Sequence, residues 1–279
     1  MKAPGFRYVR PPTVKAAVQA LADTQDSAIL AGGQSLLAML NLRLAAPSLL
    51  VDIGGIAELR GIRPGDGFVE IGAGTTHCEV LDSPVIARHF PILVEALSYV
   101  AHPAVRNRGT MGGSLALADP AAEWPACMLA LGGSLLIAGP SGMRELAADS
   151  FFLGMMQTAL GQGEIIIAAR IPIPGSVPRW GFYELARRHG DFALAGLAAV
   201  ATAAATRLVY FGCTDHAHLA PNVSEALSGP GFPGEDAVDA ALALDLSSFA
   251  TAGCRAETHR RLARVVTMRV ARQLRGEHK

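Results

Sequence analysis

Ala31-Gly32-Gly33-Gln34-Ser35-Leu36 and, further along, Thr110-Met111-Gly112-Gly113-Ser114-Leu115 decide how this chain is read. Both are short glycine loops with a hydroxyl beside the glycines. Glycine leaves the backbone bare and tolerates positive φ, and consecutive N–H groups form a concave nest for an anion. A dinucleotide carries a pyrophosphate, and two such loops suit a grip from both sides. Taken alone, Gly32, Gly33, Gln34 and Ser35 read equally well as a plain strand-to-helix turn. The readings coexist, because a helix N-terminus presents unpaired N–H groups to phosphate. Thr110, Gly112, Gly113 and Ser114 lie in a long stretch without periodicity, where ligand contact is the better reading.

Commoner nucleotide signatures do not fit. The chain has no G-x-x-x-x-G-K-[ST] run, which excludes a P-loop. Ile71-Gly72-Ala73-Gly74-Thr75-Thr76-His77 follows a strand-like run and begins G-x-G, yet His77 stands where the dinucleotide fingerprint needs its third glycine.

The composition is that of a well-buried globular protein. Of 279 residues, 51% are hydrophobic and 17% charged, with 24 basic and 24 acidic side chains. That length suits one large or several smaller domains. A net charge of zero gives no electrostatic case for nucleic acid or an anionic membrane as partner. The basic stretch Arg255 to Arg275 has apolar residues at helical spacing and reads as a solvated helix face. Met1 to Arg7 has no apolar core of signal-peptide length, and Phe192 to Ala205 reads as too short to span a bilayer. Cys78, Cys127, Cys213 and Cys254 have no metal or iron–sulfur spacing, so no metal site and no resident cluster are expected. They read as reduced, buried thiols of a cytoplasmic protein.

Apolar residues at 14, 17, 18 and 21 predict a helix over 13–23, with Thr13 as cap. A strand over 27–31 should run into the first glycine loop, with a helix from Ser35 to Leu44 behind it. Further strands are expected at 49–53 and 67–71, and helices over 76–100 broken near Pro84 and Pro91. Ala101 to Ala122 reads as an ordered loop. A helix over 123–131 and strands at 134–138 and 164–173 follow. After Pro172 and Pro174, strands at 180–187, 192–203 and 207–213 precede helices at 221–227, 237–244 and 257–274, the order of a separate α+β domain.

These residues resemble a known family. The carriers are, in order, Ala31 to Leu36, Leu42-Arg43-Leu44, Leu50-Val51-Asp52-Ile53, Val105 to Ser114, Ala118-Asp119-Pro120-Ala121-Ala122-Glu123 and Arg187-Arg188-His189-Gly190-Asp191-Phe192-Ala193. Together they are similar to the FAD-binding medium subunit of molybdenum hydroxylases, the carbon monoxide dehydrogenase and xanthine dehydrogenase family. The resemblance runs from end to end. It implies an α+β protein: a two-lobed FAD-binding domain of the vanillyl-alcohol oxidase type, 1–55 and 56–175, then a smaller α+β C-terminal domain, 176–279. It implies FAD held by Ala31, Gly32, Gly33, Gln34, Ser35, Leu36, Thr110, Gly112, Gly113, Ser114 and Glu123, with the pyrophosphate between the loops. It also implies a small partner with two [2Fe–2S] clusters and a large partner with the molybdenum cofactor, in a dimer of heterotrimers. Electrons would reach this FAD from the clusters and leave to an external acceptor. Glu123 stands where the family often has Asp, and Ser114 where Asn is frequent.

Each site residue also has a plainer reading. Glu123 suits the first turn of a helix by its charge alone. Asp119 before Pro120 suits a turn, Arg106 and Arg108 an exposed loop, and His77, His102 and His189 packing or capping. His216 and His218 lack a third ligand. No nucleophile–base pair is arguable, so no catalytic residue is assigned, as expected of a chain whose chemistry belongs to its cofactor. Two rival readings remain open at this stage. One is a self-contained FAD-dependent oxidoreductase of the same fold; the other is an assembly module whose glycine loops are only turns.

Overall fold

The computed structural model describes residues 2–228, 234–246 and 256–277. Cys254, expected to be a buried thiol, and Arg255 lie outside the described residues. The chain first builds a small parallel sheet. Strand β1 (Arg7–Val9) precedes helix α1 (Val14–Ala22); then come β2 (Ser27–Leu30), α2 (Leu36–Asn41) and β3 (Leu49–Asp52), in the sheet order β1-β3-β2. Thr13 caps α1 by accepting the Ala16 N–H, and Ala17 and Leu21 face inward. Helix α2 is shorter than its apolar run suggests. Arg43 adopts a left-handed φ of 58°, which ends the helix before Leu44.

The second sheet is antiparallel throughout, in the order β4-β5-β10-β6-β7. Its strands are β4 (Ile62–Pro64), β5 (Phe68–Gly72), β6 (Ser134–Gly139), β7 (Gly142–Ala147) and β10 (Ile165–Pro172), with β8 (Phe152–Gly154) and β9 (Gln157–Thr158) as a separate hairpin. Antiparallel pairing of β5 rules out a dinucleotide-binding βαβ unit at Gly72-Ala73-Gly74. A Cβ on Gly72 would run into the Leu59 carbonyl, so that glycine serves backbone packing. Helices α3 (His77–Leu81), α4 (Pro84–His89), α5 (Pro91–Tyr99), α6 (Pro103–Arg106), α7 (Met111–Leu117) and α8 (Glu123–Ala130) lie between β5 and β6. Pro84, Pro91 and Pro103 open helices at their first turns, where a missing N–H costs nothing.

One expectation fails here. Ala101 to Ala122 is not a loop but carries α6 and α7. Thr110 supplies the cap of α7, and close packing against Ala73 overrides the poor helix propensity of Gly112-Gly113. Strands β1, β4 and β7 had no forecast. They are edge strands, largely exposed or half-buried, and so lack the apolar alternation that marks a strand.

The third sheet is antiparallel, β11 (Arg179–Ala186), β12 (Ala193–Ala201), β13 (Thr206–Phe211) and β14 (His218–Leu219) in that order. Helices α9 (Pro221–Ser228), α10 (Glu235–Asp245) and α11 (Ala256–Gln273) follow. Helix α11 covers one face of β11 and β12; α8 and α5 meet the other face. Every residue of α8 is buried, as a helix packed on all sides must be. Among the described residues no helix is long and apolar enough to cross a membrane.

Candidate functional site

Strand β2 delivers the chain into the first glycine loop. Gly33 turns it with φ +73°, a conformation costly to any residue with a Cβ. Ser35 is the N-cap of α2, yet its hydroxyl makes no cap bond. Leu37 N–H closes the first turn onto Gly33 O at 3.1 Å, and Gln34 Nε2 donates to Gly32 O at 3.1 Å. Within the described residues, the backbone N–H groups of Gly32, Gly33, Gln34, Ser35 and Leu36 donate to no protein acceptor. Five successive donors are left for water or an anion.

The second loop is spent on itself. Met111 N–H donates to Thr75 O at 3.0 Å and Gly112 N–H to Ala73 O at 2.9 Å. Gly113 N–H donates to Thr110 Oγ1 at 3.1 Å, and Ser114 N–H to Thr110 O at 3.1 Å. The forecast of bare N–H groups therefore holds for the first loop and not for Met111 to Ser114. Gly112 is a packing residue, since a Cβ there would lie 2.5 Å from the Ala73 Cβ. Gly113 looks the other way, toward Ala31, whose Cβ would stand 3.8 Å from its own.

Folding brings the two loops together. Gly32 packs so tightly on the Arg108 carbonyl and Gly109 that no Cβ fits between them. Ala31 to Leu36 and Thr110 to Ser114 thus line one place, although they come from different sheets.

Glu123 opens α8 and is only 9% exposed. Burial, and then the charge of Glu184, push its carboxyl up to about 8. Its neighbour Trp124 donates its indole N–H to His77 Nδ1 at 3.0 Å. Burial lowers His77 to about 4, helped by Arg106. That histidine is neutral, with its proton on Nε2, and packs against Gly109. It is a packing group, as its sequence context suggested, and it ties α8 to the second loop. Arg106 donates to the carbonyls of Val100 and Ala101 at 2.8 and 3.0 Å. Its guanidinium closes the end of α5. Asp119 forms the expected turn, accepting Ala121 N–H at 2.9 Å. Histidines 216 and 218 gather no third ligand: no group of three metal-binding side chains occurs among the described residues.

Glu184 had no forecast. It sits on β11, 5% exposed, with neither carboxylate oxygen hydrogen-bonded. A signal was present, because alternation on a strand puts Glu184 on the same face as buried Phe182.

Residues 4–174 match the family model described as the FAD binding domain in molybdopterin dehydrogenase. The chain is 38% identical over 234 residues to the nicotine 6-hydroxylase medium subunit of Paenarthrobacter nicotinovorans, covering 82% of each. This chain belongs to the FAD-binding medium subunits of molybdenum hydroxylases. Solved structures agree. Quinoline 2-oxidoreductase from Pseudomonas putida 86 superposes with a TM-score of 0.90 at 38% identity, covering 99% of each chain. Carbon monoxide dehydrogenase from Hydrogenophaga pseudoflava, in a form lacking the Mo-pyranopterin moiety of its molybdenum cofactor, gives 0.92 at 35%, again covering 99% of each.

The medium subunit is therefore an FAD flavoprotein and an electron-transferring part of an oxidoreductase. Its residues fit that cofactor. Five successive N–H groups without an acceptor among the described residues suit a pyrophosphate, and the missing Cβ of Gly32 lets their loop close on the Arg108 carbonyl.

Proposed function

We propose that the FAD of this medium subunit lies with its pyrophosphate on the N–H groups of Gly32 to Leu36. Ala31, Gly32, Gly33, Gln34, Ser35 and Leu36 line one side. Thr110, Gly112, Gly113 and Ser114 line the other, and Glu123 reaches the flavin side. The contact of Gly32 with Arg108 and Gly109 carries this reading, because it makes two distant loops into one site. Bound FAD supplies two-electron chemistry, taking electrons up and passing them on. The protein holds and orients it: backbone donors meet the phosphates, and the hydroxyls of Ser35, Thr110 and Ser114 stand beside them. The division into lobes 1–55 and 56–175 and a C-terminal domain 176–279 belongs to the same proposal.

The relatives are subunits of complexes by name. We infer for this chain a [2Fe–2S] small partner, a molybdenum-cofactor large partner, a dimer of such heterotrimers and a cytoplasmic location. Electrons then enter from the clusters. The chain has no cluster spacing among its cysteines and no arguable acid–base pair to oxidise a substrate by itself. Co-expression of the three chains should give a complex whose flavin absorbance bleaches anaerobically on adding substrate. If the purified chain alone reduces its flavin with an organic substrate at a catalytic rate, the self-contained flavoenzyme is the correct reading.

A further inference from the structure

The stretch Ala73 to His77, which carries no dinucleotide fingerprint, grips the second glycine loop along its length. Ala73 O accepts the Gly112 N–H at 2.9 Å, Thr75 O the Met111 N–H at 3.0 Å, and Gly109 O the His77 N–H at 3.0 Å. Thr76 and Thr110 form an antiparallel bridge between the two segments. Thr76 also opens α3 with a capping box: its hydroxyl accepts the Glu79 N–H at 3.2 Å, and Glu79 Oε2 accepts the Thr76 N–H at 2.7 Å. His77, the first residue of that helix, is thereby fixed at its backbone.

Its side chain is fixed from the other end. Trp124 donates its indole N–H to Nδ1 at 3.0 Å, the one hydrogen bond of the imidazole among the described residues, and the ring centroids stand 6.3 Å apart. Trp124 is 1% exposed and His77 5%, so water cannot readily replace this bond. The opposite edge of the imidazole meets Gly109: a Cβ there would lie 2.9 Å from both Cδ2 and Nε2. Packing alone leaves a histidine ring two broad settings of χ2. The indole N–H selects the setting that turns Cδ2 and Nε2 toward Gly109. Gly109 is in turn what Gly32 rests on, since a Cβ on Gly32 would run into the Arg108 carbonyl and the Gly109 Cα. A continuous line of contact therefore runs from Trp124 on α8 through His77 and Gly109 to Gly32, the first residue with an open N–H.

We propose that His77 is a positioning residue for the cofactor: locked by the Trp124 indole, its ring holds Gly109 in place and so sets where the donors of Gly32 to Leu36 stand. The inference rests on the reading above that puts the FAD pyrophosphate on those donors. His77 acts through Gly109 and not by contact with FAD. A row of N–H groups binds a phosphate well only when its spacing from the facing wall is held, and supporting groups behind a site do that work.

Titrating the flavin-free full chain with FAD at one neutral pH, read by flavin fluorescence, tests this. Urea unfolding of the same samples separates affinity from folding. His77→Phe keeps a ring against Gly109 but loses the acceptor; Trp124→Phe keeps an aromatic ring but loses the donor. Each should weaken FAD binding by about tenfold, as losing a supporting hydrogen bond does behind a metal ligand. His77→Asn places an amide oxygen where Nδ1 stood and should recover most of that loss. The double variant His77→Phe/Trp124→Phe should bind no more weakly than either single variant, because one bond cannot be lost twice. A role in packing alone would lower stability and leave the affinity of the folded chain unchanged. Wild-type affinity in the folded single variants, additive losses in the double variant, or His77→Asn binding as weakly as His77→Phe overturns the inference alone. If the single variants do not fold, the double variant, which leaves neither partner of the bond unpaired, decides: binding weaker by about tenfold supports the role of His77, and wild-type binding overturns it. No FAD binding by the wild-type chain overturns the proposed function and this inference with it.

Discussion

From Gly32 to Leu36, five successive N–H groups find no acceptor in the described protein; from Met111 to Ser114, four successive N–H groups all do. The loops look alike as strings of glycine and hydroxyl residues, yet they divide the labour. The first leaves donors open and uses Gly33 at φ +73° to turn them outward. The second caps its own helix through Thr110, pins Gly112 on Ala73, and serves as a rigid wall for the first. A glycine pair is thus no nest by itself. What matters is where its N–H groups go, and that depends on whether an N-cap side chain turns back to take them.

That contrast can be broken most forcefully at Gly112. A valine there must displace Ala73, and overpacking of this kind costs about 3 kcal/mol. Urea unfolding should show the loss in the flavin-free chain, and wild-type stability would show that Gly112 is not a packing residue. Gly33→Val should behave differently. The left-handed backbone costs about 1–2 kcal/mol, so the chain still folds by circular dichroism, but flavin content after purification should drop to near zero. Full flavin content in this variant would turn the first loop into a mere turn.

The two hydroxyl caps sharpen the comparison. Thr110→Ala removes the acceptor for Gly113 N–H and should cost about 1 kcal/mol of stability. Ser35 makes no cap bond, so Ser35→Ala should change the stability of the flavin-free chain by less than about 0.5 kcal/mol. On our proposal it still weakens FAD binding. Thermal melts and flavin titrations of the pair would separate cap from ligand group, and equal destabilisation by both would erase the distinction drawn between the loops.

Much of the architecture was legible along the chain. Helix α1 follows from Thr13 and its apolar stripe, the breaks at Pro84 and Pro91 from the fixed φ of proline, and strands β11 to β13 from their apolar runs. Ordered motifs from Ala31 to Ala193 carried the family, which the comparisons show. These signals are local, set by neighbours in the chain, and so survive without the fold. Other features depend on residues distant in sequence. Helix α7 exists at Gly112-Gly113 because Ala73 presses on it, and the loops form one place because Gly32 meets Arg108 and Gly109. Glu123 on α8 and Glu184 on β11 lose their water only in the packed molecule. Burial, and the satisfaction of each N–H, are properties of the packed molecule: a sequence names the groups, but only tertiary contact removes the water that would otherwise serve them.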